Sequence, residues 1–215
     1  MSEFTFYTVA MSRGQISRWS LHEASADYEH VVFDWATRPE SFKSINPMNK
    51  VPALVHHHMG EDGTTHDHVI TEAAAINHYL AETHPAAGLL PDSHERAAYF
   101  RWLFFAAGPL EQAVVGQAMG WEVPPERAGM AGFGSLELAL GAMEDWLKTN
   151  DFAAGNRFTM ADTYVGCQFI WGLRFGSIPE TPAFKAYVER LIQRHAYAEA
   201  NAIDAKLIEE AAGNG

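Results

Sequence analysis

A chain of 215 residues accommodates one large domain or two modest ones, and 47% hydrophobic with 20% charged residues is the balance of a folded protein, which excludes a disordered one. Acids outnumber bases 27 to 15 for a formal net charge of −12, which argues against a phosphate-binding nucleic-acid surface and favours a small-molecule ligand. The longest apolar runs, such as Trp102 to Ala107, fall far short of the roughly 20 residues of a bilayer span, and Met1–Ser2–Glu3 lacks the basic start of a secretory signal, so the reading is a cytoplasmic protein with neither membrane nor nucleic acid among its partners.

In chain order, Phe4 to Val9 predicts a strand, and Ile16, Trp19, Leu21 and Ala24 predict a helix over Gly14 to Ala24. His30 to Trp35, Val51 to His56 and His68 to Thr71 read as further strands, and Ile76, Tyr79 and Leu80 mark one face of a helix over Ala73 to Glu82. The turn residues Gly60, Asp62 and Gly63 predict a hairpin between the last two strands, with more than a two-residue loop. Both periods break over residues 83–92, where His84, Pro85, Gly88 and Pro91 gather, so residues 1–82 form the first domain, 83–92 a linker and 93–215 the second.

Beyond the linker only helical periodicity follows. Asp92 with Glu95 predicts a cap, Tyr99, Trp102, Leu103, Ala106 and Leu110 share a helix face, and Gly108–Pro109 should kink or end that helix. Leu136, Leu140, Met143 and Leu147 mark another helix, and Phe184, Val188 and Leu191 a later one. The residues alone therefore predict a mixed α/β first half and an all-α second half.

Three segments together resemble the cytosolic glutathione transferases. Met11–Ser12–Arg13–Gly14–Gln15–Ile16–Ser17 after the first strand resembles the turn opening the thiol-handling helix of that family. Ile45–Asn46–Pro47–Met48–Asn49–Lys50–Val51–Pro52–Ala53–Leu54, followed by Ile70–Thr71–Glu72–Ala73, is similar to the family's Asn-Pro-x-x-x-Val-Pro-x-Leu signature and its downstream partner. Phe158–Thr159–Met160–Ala161–Asp162 is similar to the capping box that opens the buried helix of the family's α domain, a structural device without catalytic content. The resemblance implies a thioredoxin-like α/β domain that holds the peptide thiol glutathione, a helical-bundle domain that supplies the pocket of an electrophile, and a homodimer.

What it implies for the residues follows the chemistry of the peptide. Val51, before a cis Pro52, would pair its main chain with the cysteinyl part of glutathione, as an added strand does. Glu72 would take the γ-glutamyl ammonium and the Ala73 N–H its carboxylate at a helix N-terminus, although many relatives carry a hydroxyl residue where Ala73 stands. Lys50, with Asn49 beside it, would meet the glycine carboxylate.

Ser12 is the candidate for the chemistry, because the thiolate is the nucleophile and a hydroxyl at a helix start stabilises S⁻ by hydrogen bond and dipole. In serine-type relatives the working hydroxyl can fall one residue earlier, at Met11, which cannot donate; Arg13 is a second stabiliser and Tyr7 a more distant one. Arg101, Phe105 and the neighbouring Trp102 are candidates for the electrophile's pocket.

The single cysteine, Cys167, excludes an intrachain disulfide or a CxxC pair; its place far along the second domain argues against the family's mixed-disulfide thioltransferases, and it reads as a small buried residue. His56, His57, His58, His66 and His68 flank the hairpin loop. Histidines facing each other across a hairpin can share an ion, but the spacing matches no defined motif, so the expectation is a solvated loop and no metal. The reaction reads as nucleophilic transfer of glutathione to a small hydrophobic electrophile or a peroxide, with a glutathione-dependent isomerase and a non-catalytic binding or regulatory dimer as alternatives.

Overall fold

The computed structural model describes residues 2–213. They divide into two compact units, residues 2–90 with 194–213, and residues 91–193.

The first unit is built on a four-stranded sheet in the order β2-β1-β3-β4, with β1 Phe4–Val9, β2 Tyr28–Phe33, β3 Ala53–Met59 and β4 Thr65–Thr71. β1 and β2 run parallel, joined by helix α1 (Gly14–Ala24), while β3 is antiparallel to both β1 and β4. This is the thioredoxin-like arrangement. Phe4 and Phe6 are completely buried, as period-two alternation requires of a central strand packed under helices. Gly14 starts α1 because nothing larger fits: a Cβ there would lie 1.9 Å from Thr8 Oγ1.

Helix α2 (Ala73–Thr83) follows β4 directly, and Ile76 and Leu80 on its predicted face are fully buried. Strands β3 and β4 run further into the hairpin than expected, pairing out to Met59↔Thr65. Their ladder is carried to the tip by a closed turn, in which Gly60 N–H donates to Thr64 O at 2.8 Å, Asp62 Oδ1 accepts from Thr64 N–H at 2.9 Å and Gly63 adopts φ 75°.

The chain re-enters this unit at its end. Helix α8 (His195–Gly213) docks on α1: Arg18 Nε donates to Asp204 Oδ1 at 2.7 Å with both groups buried, Trp19 packs edge-on against Tyr197, and Arg194 clamps the Glu23 carboxylate with two bonds. Chain order alone placed these residues with the helical half.

The second unit is all helix: α3 Arg96–Phe105, α4 Glu111–Ala118, α5 Leu136–Leu147, α6 Ala161–Phe175 and α7 Pro182–Ile192. Gly108–Pro109 neither ends nor breaks the α3 run; a π-helical stretch, Ala106–Leu110, absorbs the missing proline N–H and passes directly into α4. Asp92 N–H donates to Glu95 Oε2 at 2.8 Å, the reciprocal half of the predicted cap.

At α6 the capping box is larger than its motif. The buried Asp162 carboxylate accepts from Thr159 N–H (2.9 Å), Thr159 Oγ1 (3.2 Å), Ala153 N–H (2.7 Å) and Tyr187 Oη (2.8 Å). Burial pushes that carboxyl up to about 6, against the pull of those four donors. Cys167 is buried in α6, as expected of a small apolar residue.

Candidate functional site

The strand register decides where the motif residues stand. Tyr7 pairs with Ala53, and Ala53 pairs with Thr71 on its other side. Continuing those antiparallel ladders by one or two residues brings the end of β1, the Val51–Pro52 dipeptide and Glu72 to the same end of the sheet. The Ser12 turn follows β1 directly there, and α2 begins there.

Val51–Pro52 is cis. Among the described residues, neither the N–H nor the C=O of the half-buried Val51 makes a hydrogen bond, so a main-chain donor and acceptor are left at the start of an internal strand. The loop leading to it is shaped by Asn46, which is buried: its Oδ1 accepts from Met48 N–H at 3.0 Å and its Nδ2 donates to Lys50 O at 2.8 Å. Asn49 stands in the left-handed region at φ 53°, and its carbonyl accepts from Arg38 Nη1 at 2.6 Å. Asn49 Oδ1 is buried without a partner among the described residues, and Lys50 is exposed.

Arg38 is the residue that sequence reasoning missed. It lies in an irregular connection with no motif around it, and only the fold shows that it braces the loop carrying Asn49, Lys50 and Val51.

Glu72 has φ 68° and ψ 116°, a region that costs a non-glycine residue on the order of 1–3 kcal/mol. Its exposed carboxylate has no partner among the described residues and does not cap α2, so the first N–H groups of that helix lack a side-chain cap. Ala73 is buried at the first helical position.

Ser12 lies two residues ahead of α1 and is half-buried. Its Oγ accepts from Gly14 N–H at 3.0 Å and donates to Val9 O at 2.7 Å, so the hydroxyl proton is directed at a backbone carbonyl. Met11 and Arg13 on either side are exposed. Tyr7 packs against Phe33 and Phe42 within the sheet layer, and burial, then Glu29 and Asp67, raise its phenol above the ordinary value, which keeps it neutral.

Beside the Ser12 turn is a cavity of about 550 Å³ lined chiefly by Ala10, Met11, Phe33, Trp35, Leu207 and Ile208. The last two come from α8, so this apolar wall was not visible in the motif pattern. In the second unit, Arg101 is exposed with its guanidinium 4.3 Å from the Trp102 ring, and Phe105 meets the same ring edge-on. Trp102 itself is core at 1% exposure.

The fold and this end of the sheet define a protein of the thioredoxin-like plus all-α type. The family model for the glutathione S-transferase N-terminal domain matches residues 2–82, and that for the C-terminal domain matches residues 107–195, so the chain belongs to the glutathione S-transferase family. It is 28% identical over 192 residues to "Glutathione S-transferase 2" of Schizosaccharomyces pombe, covering 82% of this chain and 79% of the relative. It is 34% identical over 159 residues to a protein of Caenorhabditis elegans named "Probable maleylacetoacetate isomerase", covering 69% and 68%. A sphingomonad glutathione S-transferase solved with glutathione superposes at a TM-score of 0.71 with 28% identity, over 94% of this chain and 98% of that one. No helix among the described residues is long and apolar enough to cross a membrane.

Proposed function

We propose that this protein is a cytoplasmic, homodimeric glutathione transferase that activates the thiol of its peptide substrate for attack on a small hydrophobic electrophile or a peroxide. The observation that carries the reading is the strand register, which gathers Ser12, Val51 and Glu72 at one end of one sheet. Glutathione lies across that end in an extended conformation. The unpaired N–H and C=O of Val51 take the cysteinyl main chain. The unpartnered Glu72 carboxylate takes the γ-glutamyl ammonium, the Ala73 N–H at the uncapped start of α2 takes the α-carboxylate, and Lys50 with Asn49 meets the glycine carboxylate.

The sulfur is thereby placed at the Ser12 turn, where Oγ–H turns from Val9 O to the thiolate. In conjugation, the sulfur lone pair forms the new S–C bond and the leaving group departs with the electrons of the bond it breaks. Rate comes from stabilising S⁻ and from holding both partners together. The largely apolar cavity between the Ser12 turn and α8, with Asp34 and Glu210 also in its lining, offers the electrophile a place beside the sulfur. In this reading residues 1–82 bind glutathione, 83–92 link, and the helical remainder contributes Arg101 and Phe105 toward the electrophile.

A second reading, a glutathione-dependent isomerase, is favoured by the 34% identity to a relative bearing an isomerase name; it needs the same thiolate and a different acceptor. Retention on immobilised glutathione, with a bound thiol pKa below that of free glutathione, is the expected outcome. Retention without that shift would replace the transferase by a non-catalytic binder, and failure to bind glutathione would remove both. Product analysis with aryl halides, peroxides and cis-dienoic acids then separates transfer from isomerisation.

A further inference from the structure

The histidines of the hairpin form a second constellation, at the opposite end of the sheet from Val51. His56 and His58 alternate along β3 and therefore share a face, and His68 and His66 stand directly across from them on β4, since His56 pairs with His68 and His58 with His66. That face is the one under α2, because Tyr79 and Thr83 of α2 line the same cavity of about 480 Å³ together with Glu3, His56, His58 and His68. Ring centroids are 5.6 Å apart for His56 and His58, 6.1 Å for His58 and His68, and 6.5 Å for His56 and His68.

From these placements we infer that the β3–β4 hairpin carries a binding site for a divalent transition-metal ion of the zinc class, with His56, His58 and His68 as nitrogen ligands and Glu3 as the carboxylate. Imidazoles that each hold one tetrahedral ion at about 2.0–2.1 Å place their centroids about 5 Å apart. The observed separations exceed this by roughly an ångström, a distance that the exposed His58 and His68 rings cover by rotating inward.

His56 is the fixed member. Its Nδ1 is hydrogen-bonded to Tyr79 Oη at 2.8 Å and its Nε2 lies 3.6 Å from Glu3 Oε1, so one ring nitrogen is anchored and the other is turned toward the carboxylate. An oxygen partner on the second nitrogen is the arrangement that orients ligating histidines in metal sites. His84 Nε2 approaches the other Glu3 oxygen at 3.3 Å and steadies that carboxylate. Among the described residues, His58 and His68 make ring contacts only with histidines of this cluster, which leaves their nitrogens available.

Among the described residues the set whose potential ligand atoms already lie within 4.8 Å of one another is Asp92, His94 and Glu95, but it has no freedom to rearrange: Glu95 is held by Arg157 and by the N–H of Asp92 in the cap of α3. The hairpin site, by contrast, is separable from glutathione binding, since His56 is five residues, about 17 Å of strand, from Val51.

The test is calorimetric titration of the tag-free, full-length chain with zinc chloride in the absence of glutathione, and the absorption spectrum after loading with cobalt(II). One equivalent bound at micromolar concentration, with the visible bands of a tetrahedral cobalt centre, is expected. His58→Ala and His68→Ala should each weaken zinc binding at least about tenfold; both side chains are exposed, and unchanged melting curves establish that the variants fold. His195→Ala, on α8, should bind as the parent does. Absence of saturable zinc uptake by the parent, or uptake that His58→Ala and His68→Ala leave unchanged, would overturn the site.

Discussion

Replacing Ser12 by alanine separates the two jobs its hydroxyl could do. In the structure the hydroxyl accepts from Gly14 N–H and donates to Val9 O, both of them helix-start bonds. A glutathione thiolate would exchange the second bond, worth about 0.5–1.5 kcal/mol as a neutral hydrogen bond, for one to a charged acceptor worth about 1.5–3 kcal/mol. The difference between the midpoints, about 1.25 kcal/mol, is close to tenfold in rate. Ser12→Ala is therefore expected to lower kcat/KM for conjugation of a model aryl halide about tenfold. It should also raise the bound thiol pKa by about one unit, read from thiolate absorbance in the ultraviolet. Loss of the bond from Gly14 N–H should cost about 1 kcal/mol of stability in urea unfolding. Ser12→Thr keeps a hydroxyl and should recover most of the rate. If Ser12→Ala loses stability while turnover and thiol titration stay at parental values, the hydroxyl only supports the start of α1, and the exposed Arg13 becomes the remaining side chain of that turn able to stabilise the sulfur.

Glu72→Gly should stabilise the chain by about 1 kcal/mol in urea unfolding, because glycine adopts φ 68° without strain, and should weaken glutathione binding measured by calorimetry; a variant that binds as tightly as the parent removes Glu72 from the site. Asp162→Ala strips four neutral donors of their buried acceptor, so it should destabilise the chain by at least about 1–3 kcal/mol in the same assay, and a loss below about 1 kcal/mol would show that the network is replaceable. Burial raises the Asp204 carboxyl to about 6, opposed by Arg18, so the folded state keeps a proton that the unfolded chain releases nearer pH 4. The stability tied to this group is thus full below about pH 4 and is lost as pH rises through about 6; Asp204→Asn should remove that share of the pH slope in unfolding titrations, and an unchanged slope would contradict it.

What could be read from the sequence divides by range. Local signals carried α1, α2 and the β1 strand, since each depends on spacing within a dozen residues, and the turn chemistry of Gly60, Asp62 and Gly63 carried the hairpin. The cis Val51–Pro52 bond was legible only through the family signature around it, because most X-Pro bonds are trans. The docking of α8 was not legible. Arg18 and Asp204 are 186 positions apart, and each reads alone as an ordinary solvated helix charge. Arg38 escaped for the same reason: a cation in an irregular segment has no period to betray that it bonds the carbonyl of Asn49.

The histidines are the intermediate case, and they show what the missing information was. His56 and His58, like His66 and His68, are spaced by two, which in a strand puts each pair on one face. That much is sequence. Whether the two pairs share a face depends on the hairpin register, and a slip of one residue would turn one pair away from the other. The observed pairing of His56 with His68 and Ala53 with Thr71 fixes both ends of the same ladder. One register therefore places four histidines on one face near the tip, three of them with their rings together, and, by the same count, places Glu72 opposite the Val51–Pro52 turn at the base. A change in loop length between Gly60 and Thr64 that shifted the pairing would disrupt both constellations together, whereas His58→Ala would disturb only the tip.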